Sequence, residues 1–445
     1  MSVALQAVRL SAAIGGIGAF ALLAPAVALQ GLGVLWGFLA ALWLLALPLY
    51  LAEATLWRLH GAPLLTAISA HVRRGHLHAG WNVATGLVLV VVLLLAALAA
   101  LGAVAVASQA AQVVSAPEQA AAWSFAALGP RALLLLGLFW ALAVWPSAEG
   151  RRAFRGSHWL HYCSRVGTIA ATVLVLLGTM HLSRSEAALW DVAEQGLGER
   201  LLALLTGFSL GVLSSHAALG VFYTACARLP RQDAQPARGL TRLALGLCLG
   251  LSLWALGMVG WYAELGAALA THPPGLPQLL ALFDAETLRP QARLGAILVA
   301  LVVLWLSARV LADVVRHSLE TLLGGRVLWA AALVGAAGVA LSLGLYWGWQ
   351  QPLDSPRWAL SQNLSAMVSR VLLPLAAILM TGVISRGLPP GPMLWSQRLP
   401  LPLAAPLYLY WRYPARFWLL LVLLHISGAA EILWNFWIAS PYVGE

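Results

Sequence analysis

The sequence predicts an all-α polytopic membrane protein with about eleven transmembrane helices. Three observations carry that expectation. Of 445 residues, 61% are hydrophobic and only 9% are charged, with a mean hydropathy of +0.84, whereas a water-soluble domain carries about 25% charged residues. Apolar runs of about 20 residues recur along the whole chain, the length a helix needs to cross a bilayer. Runs such as LVLVVVLLLAALAALGAV (87–104) lack the alternation of a β-barrel strand.

The spans are expected near 8–27, 31–56, 82–107, 124–146, 165–182, 200–226, 240–262, 292–315, 325–349, 361–385 and 413–435. Gly31 and Gly33 separate the first two. The first span lacks a cleavage site and is followed at once by another, which predicts an uncleaved helix rather than a signal peptide. Segment 276–289, LPQLLALFDAETLR, is too short and charged to span and is expected at an interface or over a vestibule. The chain reads as one transmembrane domain, 1–435, with a short tail, 436–445.

Loop charge gives the orientation. The formal charge of +10 comes with 26 basic residues, every one an arginine, concentrated in alternate short loops. Arg58, Arg73 and Arg74 form one group; Arg151, Arg152, Arg155 and Arg165 the next; Arg228, Arg231, Arg238 and Arg242 another. Arg316 with Arg326, and Arg386, Arg398, Arg412 and Arg416, complete the series. The intervening loops carry acids such as Glu118, Glu186, Asp191, Glu264 and Asp354. This bias predicts a cytoplasmic N-terminus and an outside C-terminus, and argues against nucleic-acid binding. Tryptophan and tyrosine near span ends, as in Tyr346–Trp349, fit interface anchoring. Cys163, Cys226 and Cys248 have neither a metal spacing nor a disulfide framework.

Two spans are interrupted. In the first, Gly15, Gly16 and Gly18 precede Pro25, a combination read either as close packing with a proline kink or as an unwound segment whose carbonyls meet a ligand. In the sixth, Ser209, Gly211, Ser214, Ser215 and His216 interrupt an apolar run. Serine can satisfy itself within a helix. His216 can donate, accept or titrate, and reads either as a packed, hydrogen-bonded residue or as a solute or proton contact.

Four further polar groups are expected to pair, gate or relay protons. Arg309 and Asp313 are spaced to pair across one helical turn of the eighth span. Glu53 lies near the inner end of the second span with Arg58 close by, Arg370 lies in the tenth, and His425 with Glu431 in the last. No GxSxG elbow, HExxH, CxxC or phosphate-binding glycine loop is present, so enzyme chemistry is not expected.

The chain resembles the neurotransmitter:sodium symporter family, the amino-acid transporter group. The resemblance rests on IGGIGAFALLAP (14–25), on PLYLAEATLWRLHG (48–61), on FSLGVLSSH (208–216) and on VLLPLAAILMTGVI (371–384). It implies an inverted-repeat (5+5) symporter fold with broken first and sixth helices, repeat one over about 8–182, repeat two over about 200–385, and an extra helix at about 413–435. A solute pocket would be shared by Gly15, Gly16, Gly18, Ala19, Ser209, Gly211, Ser214 and His216. The resemblance also implies a residual Na+ site from carbonyls of Ala12 and Gly15 with the Ser307 hydroxyl, and no other cofactor. Several positions depart from the family pattern. Ala19 and Gly207 stand where sodium-binding side chains are expected, Leu306 replaces a hydroxyl beside Ser307, Leu22 replaces an outer-gate arginine, and 82–107 holds no tyrosine.

The expectation is therefore a secondary transporter in a bacterial cytoplasmic membrane, moving a small organic solute such as an amino acid by alternating access, with weakened sodium coupling. The rival is a transporter-derived sensor or assembly partner that no longer transports.

Overall fold

The computed structural model describes residues 3–18, 30–74, 80–115, 131–145, 157–182, 196–227, 237–269, 290–349, 367–386 and 409–427, together with Leu23, Ala26, Val27 and Leu229. All of the secondary structure described is helical. The helices are α1 (Val3–Gly18), α2 (Leu32–His60), α3 (Leu64–Arg74), α4 (Gly80–Ser115), α5 (Arg131–Val144), α6 (Ser157–Leu182) and α7 (Leu197–Ser215). They continue as α8 (Val221–Ala227), α9 (Ala237–Leu269), α10 (Pro290–Leu322), α11 (Val327–Trp349), α12 (Leu373–Arg386) and α13 (Pro414–Ile426). Every expected span contains a described helix. Among the described residues, 6 helices are long and apolar enough to cross a membrane. Segment 276–289 lies outside the described residues.

The most extensive helix contact joins α2 to α7, and small residues make it. Gly33, Gly37 and Ala41 repeat every fourth residue on α2, as Ala203, Gly207 and Gly211 do on α7. That period places each trio on one face. A Cβ at Gly207 would lie 1.8 Å from the Val34 carbonyl oxygen, and one at Gly37 would lie 2.0 Å from that of Leu204. The two backbones are in direct contact because no side chain stands between them.

Proline shapes α2 and the tenth span in the same way. Pro48 has no N–H, so the carbonyl of Leu44 loses its helical donor. Just before it, Leu42–Ala46 widens into a π turn closed by Leu47 N–H to Leu42 O. The freed Leu44 carbonyl takes the Tyr410 hydroxyl instead, and Trp411 Nε1 donates to Pro48 O at 2.8 Å. The last helical stretch therefore braces the kink. Val368–Leu372 makes a second π turn ahead of Pro374.

Elsewhere, Trp140 on α5 is fully buried beneath Gly338 of α11 and donates to Ser342 Oγ at 3.1 Å. Amphipathic α3 follows the Gly61 cap, whose φ of 57° suits glycine and whose N–H returns to Trp57 O. Sequence reading did not anticipate α3, although Leu64, Leu65, Ile68 and Val72 have helical spacing.

Candidate functional site

The sixth span is broken between α7 and α8, over His216–Gly220. Three residues there have positive φ: His216 at 49°, Ala218 at 63° and Gly220 at 78°. Glycine adopts that region freely, but an L side chain costs roughly 1–2 kcal/mol. The surroundings hold it. A break inside an apolar protein leaves helix-end carbonyls and amides that need partners, and each end finds them.

At the C-terminal end of α7, the Tyr50 hydroxyl donates to Ser215 O at 2.5 Å, Ser215 Oγ donates to Val212 O at 2.8 Å, and His216 Nδ1 donates to Ser214 O at 3.1 Å. At the start of α8, both oxygens of the fully buried Glu53 carboxylate accept amides: Gly220 N at 3.3 Å and Tyr223 N at 2.7 Å. A carboxylate suits a helix N-terminus because the peptide dipoles converge there. The N-terminal anion position of the broken helix thus belongs to the protein's own acid. Further ties fix α8: the Tyr223 hydroxyl donates to Ala62 O, and Gln6 Nε2 on α1 donates to Ala225 O at 2.7 Å.

The expected pocket residues divide. Ser209 and Ser214 are almost fully buried, and their hydroxyl oxygens have no hydrogen-bond partner among the described residues. Such groups carry a desolvation cost unless something else meets them. A Cβ on Gly211 would lie 2.7 Å from both Ala41 Cβ and Phe38 O, so Gly211 packs against α2. Gly15 likewise faces α9, with Leu251 2.8 Å from a Cβ built on it. Gly16 and Gly18 belong to α1, which stays helical through Gly18, so the glycine cluster is not unwound there. Ala19 lies outside the described residues. Within the sixth span the Ser209–Gly211 motif is helical, and the break starts only at His216. The local sequence misled because Gly211 looked like a helix breaker and Gly207 like a lost side chain, whereas both are helix-packing residues.

The side chains of the sodium-site residues that the resemblance implies lie in apolar surroundings. Ala12 is buried in an apolar cluster with Trp254, Met258 and Val303. Ser307 is buried beside the fully buried Leu306. Ala12 and Gly15 lie in α1, which is described through Gly18. Among the described residues no group of three His, Cys, Asp or Glu side chains could hold a metal ion.

The remaining polar residues have definite places. The Asp313 carboxylate takes two hydrogen bonds from Arg316, at 3.1 and 2.9 Å. Arg309 reaches the end of α5, donating to Leu142 O and Trp145 O at 3.2 Å each. A cation at those carbonyls is favourable for the same dipole reason that places Glu53. Arg58 occupies the last turn of α2. Arg370 lies in the second π turn, its side chain outside the described set. His425 of α13 meets Thr206 of α7 at 3.3 Å, and Glu431 lies outside the described residues. Tyr50, Tyr223 and Gln6 were missed from sequence, where nothing distinguishes them from interface aromatics or a terminal amide.

No protein-family model and no curated protein matches the chain. A solved structure does: MhsT in complex with L-phenylalanine superposes with a TM-score of 0.74 at 16% identity, covering 96% of this chain and 98% of that one. The described helices, the broken sixth span and this near-complete superposition agree: the chain has the inverted-repeat symporter fold, as MhsT does.

Proposed function

We propose that this protein is a secondary transporter that moves a small organic solute, such as an amino acid, by alternating access at the sixth-helix break. The observation that carries the reading is the pair of buried, unpartnered hydroxyls on Ser209 and Ser214, on the helix leading into the break. The Tyr50 and Ser215 hydroxyls, the Glu53 carboxylate and His216 Nδ1 are engaged at the break, so the two serine hydroxyls are left for a solute. The L-phenylalanine bound to MhsT supports an amino acid as the first solute to try. The apolar Ala12 cluster and Leu306 support transport that does not depend on sodium. Alternate arginine-rich loops support a cytoplasmic N-terminus in a bacterial inner membrane.

Proteoliposome flux of L-phenylalanine and a panel of amino acids, amines and polyols tests this, with sodium and proton gradients imposed separately. Accumulation or exchange of one solute is the expected result. No movement of any solute, with no ligand-dependent change in thermal stability, would refute transport and favour a sensor or assembly role. The apolar or side-chain-free residues Ala19, Gly207 and Leu306, where the family pattern has sodium-binding side chains, are the observation on that rival's side.

A further inference from the structure

His216 carries the inference furthest, and the inference rests on the transport reading above. Its Nδ1 lies 3.1 Å from the Ser214 carbonyl oxygen. A carbonyl has no proton to give, so Nδ1 bears the hydrogen of the neutral ring and Nε2 bears the lone pair. Among the described residues Nε2 has no partner, and it is not one of their sealed, unsatisfied side-chain atoms; the residue as a whole is 6% exposed. The left-handed backbone at φ 49°, ψ 26° holds the ring at the break itself.

Ionisable groups also lie on the helices packed against α7 and α8. Glu53 of α2 is held by the Gly220 and Tyr223 amides, and the Tyr50 and Tyr223 hydroxyls donate to Ser215 O and Ala62 O. On α10, Asp313 pairs with Arg316 and Arg309 donates to the α5 carbonyls. His425 of α13 meets Thr206. Arg9 of α1 and the thiols of Cys226 and Cys248 are buried on neighbouring helices. The sulfur of Cys248 lies 3.5 Å from Leu42 O.

We infer that a proton and a hydrogen-bond donor on the solute compete for the Nε2 lone pair of His216, so that the solute bears an ammonium or hydroxyl donor and moves in exchange for a proton. Nε2 takes a proton from water on one side of the membrane and becomes N–H. Binding of the solute's N–H or O–H needs the lone pair back, so that proton leaves to the water then in contact with the site. Ser209 and Ser214 provide the remaining polar contacts, and no carboxylate or metal is required.

Three probes separate the terms: L-phenylalanine, phenethylamine, which keeps only the ammonium, and 3-phenylpropionate, which keeps only the carboxylate. Deuterium exchange at the imidazole C2, read by mass spectrometry on the full-length wild type, gives the titration of His216 without any variant. A one-proton curve is expected, displaced to lower pH by the first two probes and not by the third. Apparent affinity for the two amines should fall about tenfold per pH unit on the acid side of that curve, since one proton competes with one ligand. In His216→Asn, which keeps an acceptor oxygen and tolerates the left-handed backbone, the affinity should be flat with pH. Amine entry into wild-type vesicles should drive counterflow of protons, seen with an entrapped pH dye, and the variant should lose it. A His216 that does not titrate, a curve unmoved by both amines, or an unchanged pH slope in His216→Asn would each overturn the inference. If wild type moves no solute under any gradient, the transport reading and the exchange role fall together. The titration curve then still decides whether Nε2 takes up a proton.

Discussion

Gly207→Ala is the sharpest probe of how the sixth helix is held. A Cβ at position 207 would lie 1.8 Å from Val34 O, 2.6 Å from Val34 C and 2.8 Å from Val34 Cα. All three are main-chain atoms, so no rotamer change relieves the contact. Bringing the nearest one out to 3.0 Å, the lower bound for a real Cβ contact, needs a retreat of 1.2 Å by α2 or α7. The neighbouring contacts at Gly37 and Gly211, at 2.0 and 2.7 Å, would be opened by the same movement. Overpacking a core typically costs about 1–3 kcal/mol and occasionally more, and an obstruction made of backbone belongs at the upper end. The paired control is Gly86→Ala on α4, where a Cβ meets nothing within 4 Å; there the gain in helix propensity should leave stability unchanged or raised by up to about 1 kcal/mol. The assay is the thermal transition of detergent-solubilised protein, followed by fluorescence size-exclusion chromatography. Gly207→Ala should lower it by several degrees and Gly86→Ala should not. Gly207→Ser would put a hydroxyl where the symporter family uses one for sodium, yet it meets the same carbonyl and should fare no better. A Gly207→Ala protein that melts with wild type would refute the close backbone contact and the packing role assigned to this stripe.

The remaining predictions concern polar groups. Glu53→Gln replaces one of two acceptor oxygens by an amide that faces an N–H donor. It should destabilise by about 3 kcal/mol, one charged hydrogen bond lost and one buried donor orphaned, and should reduce solute movement at every pH; wild-type melting and flux would contradict the capping role. Tyr410→Phe orphans the Leu44 carbonyl that Pro48 leaves free and should cost about 1–3 kcal/mol. In a Pro48→Ala background the restored N–H should shrink that cost, and strict additivity in the double-mutant cycle would reject the explanation. Ser209→Ala and Ser214→Ala remove hydroxyls that have no partner among the described residues, so melting should hold or rise slightly while solute affinity falls. A drop in stability with unchanged flux would make both serines structural.

Much of the architecture was legible from composition and period. Apolar runs announced the spans because a chain in lipid must satisfy its backbone within each helix. The candidate site was only half legible. His216 and the two serines stood out as polar residues in an apolar run. Gly211 read as part of the interruption and Gly207 as a lost side chain, whereas both are helix-packing positions, because a glycine's freedom and a glycine's smallness look the same in one dimension.

What the sequence determined by itself is therefore the class of the molecule: a helical membrane chain with a glycine- and serine-rich sixth span and without an evident catalytic motif. Tertiary structure decided where that span breaks and what the break can bind. Glu53 lies 167 and 170 residues from the amides it caps, and Tyr50 165 residues from the carbonyl it meets. No local pattern encodes such distances. They are set when α2 and α7 close to backbone contact, and that closure occupies the helix N-terminus with the protein's own carboxylate and leaves Ser209, Ser214 and one imidazole nitrogen without partners among the described residues.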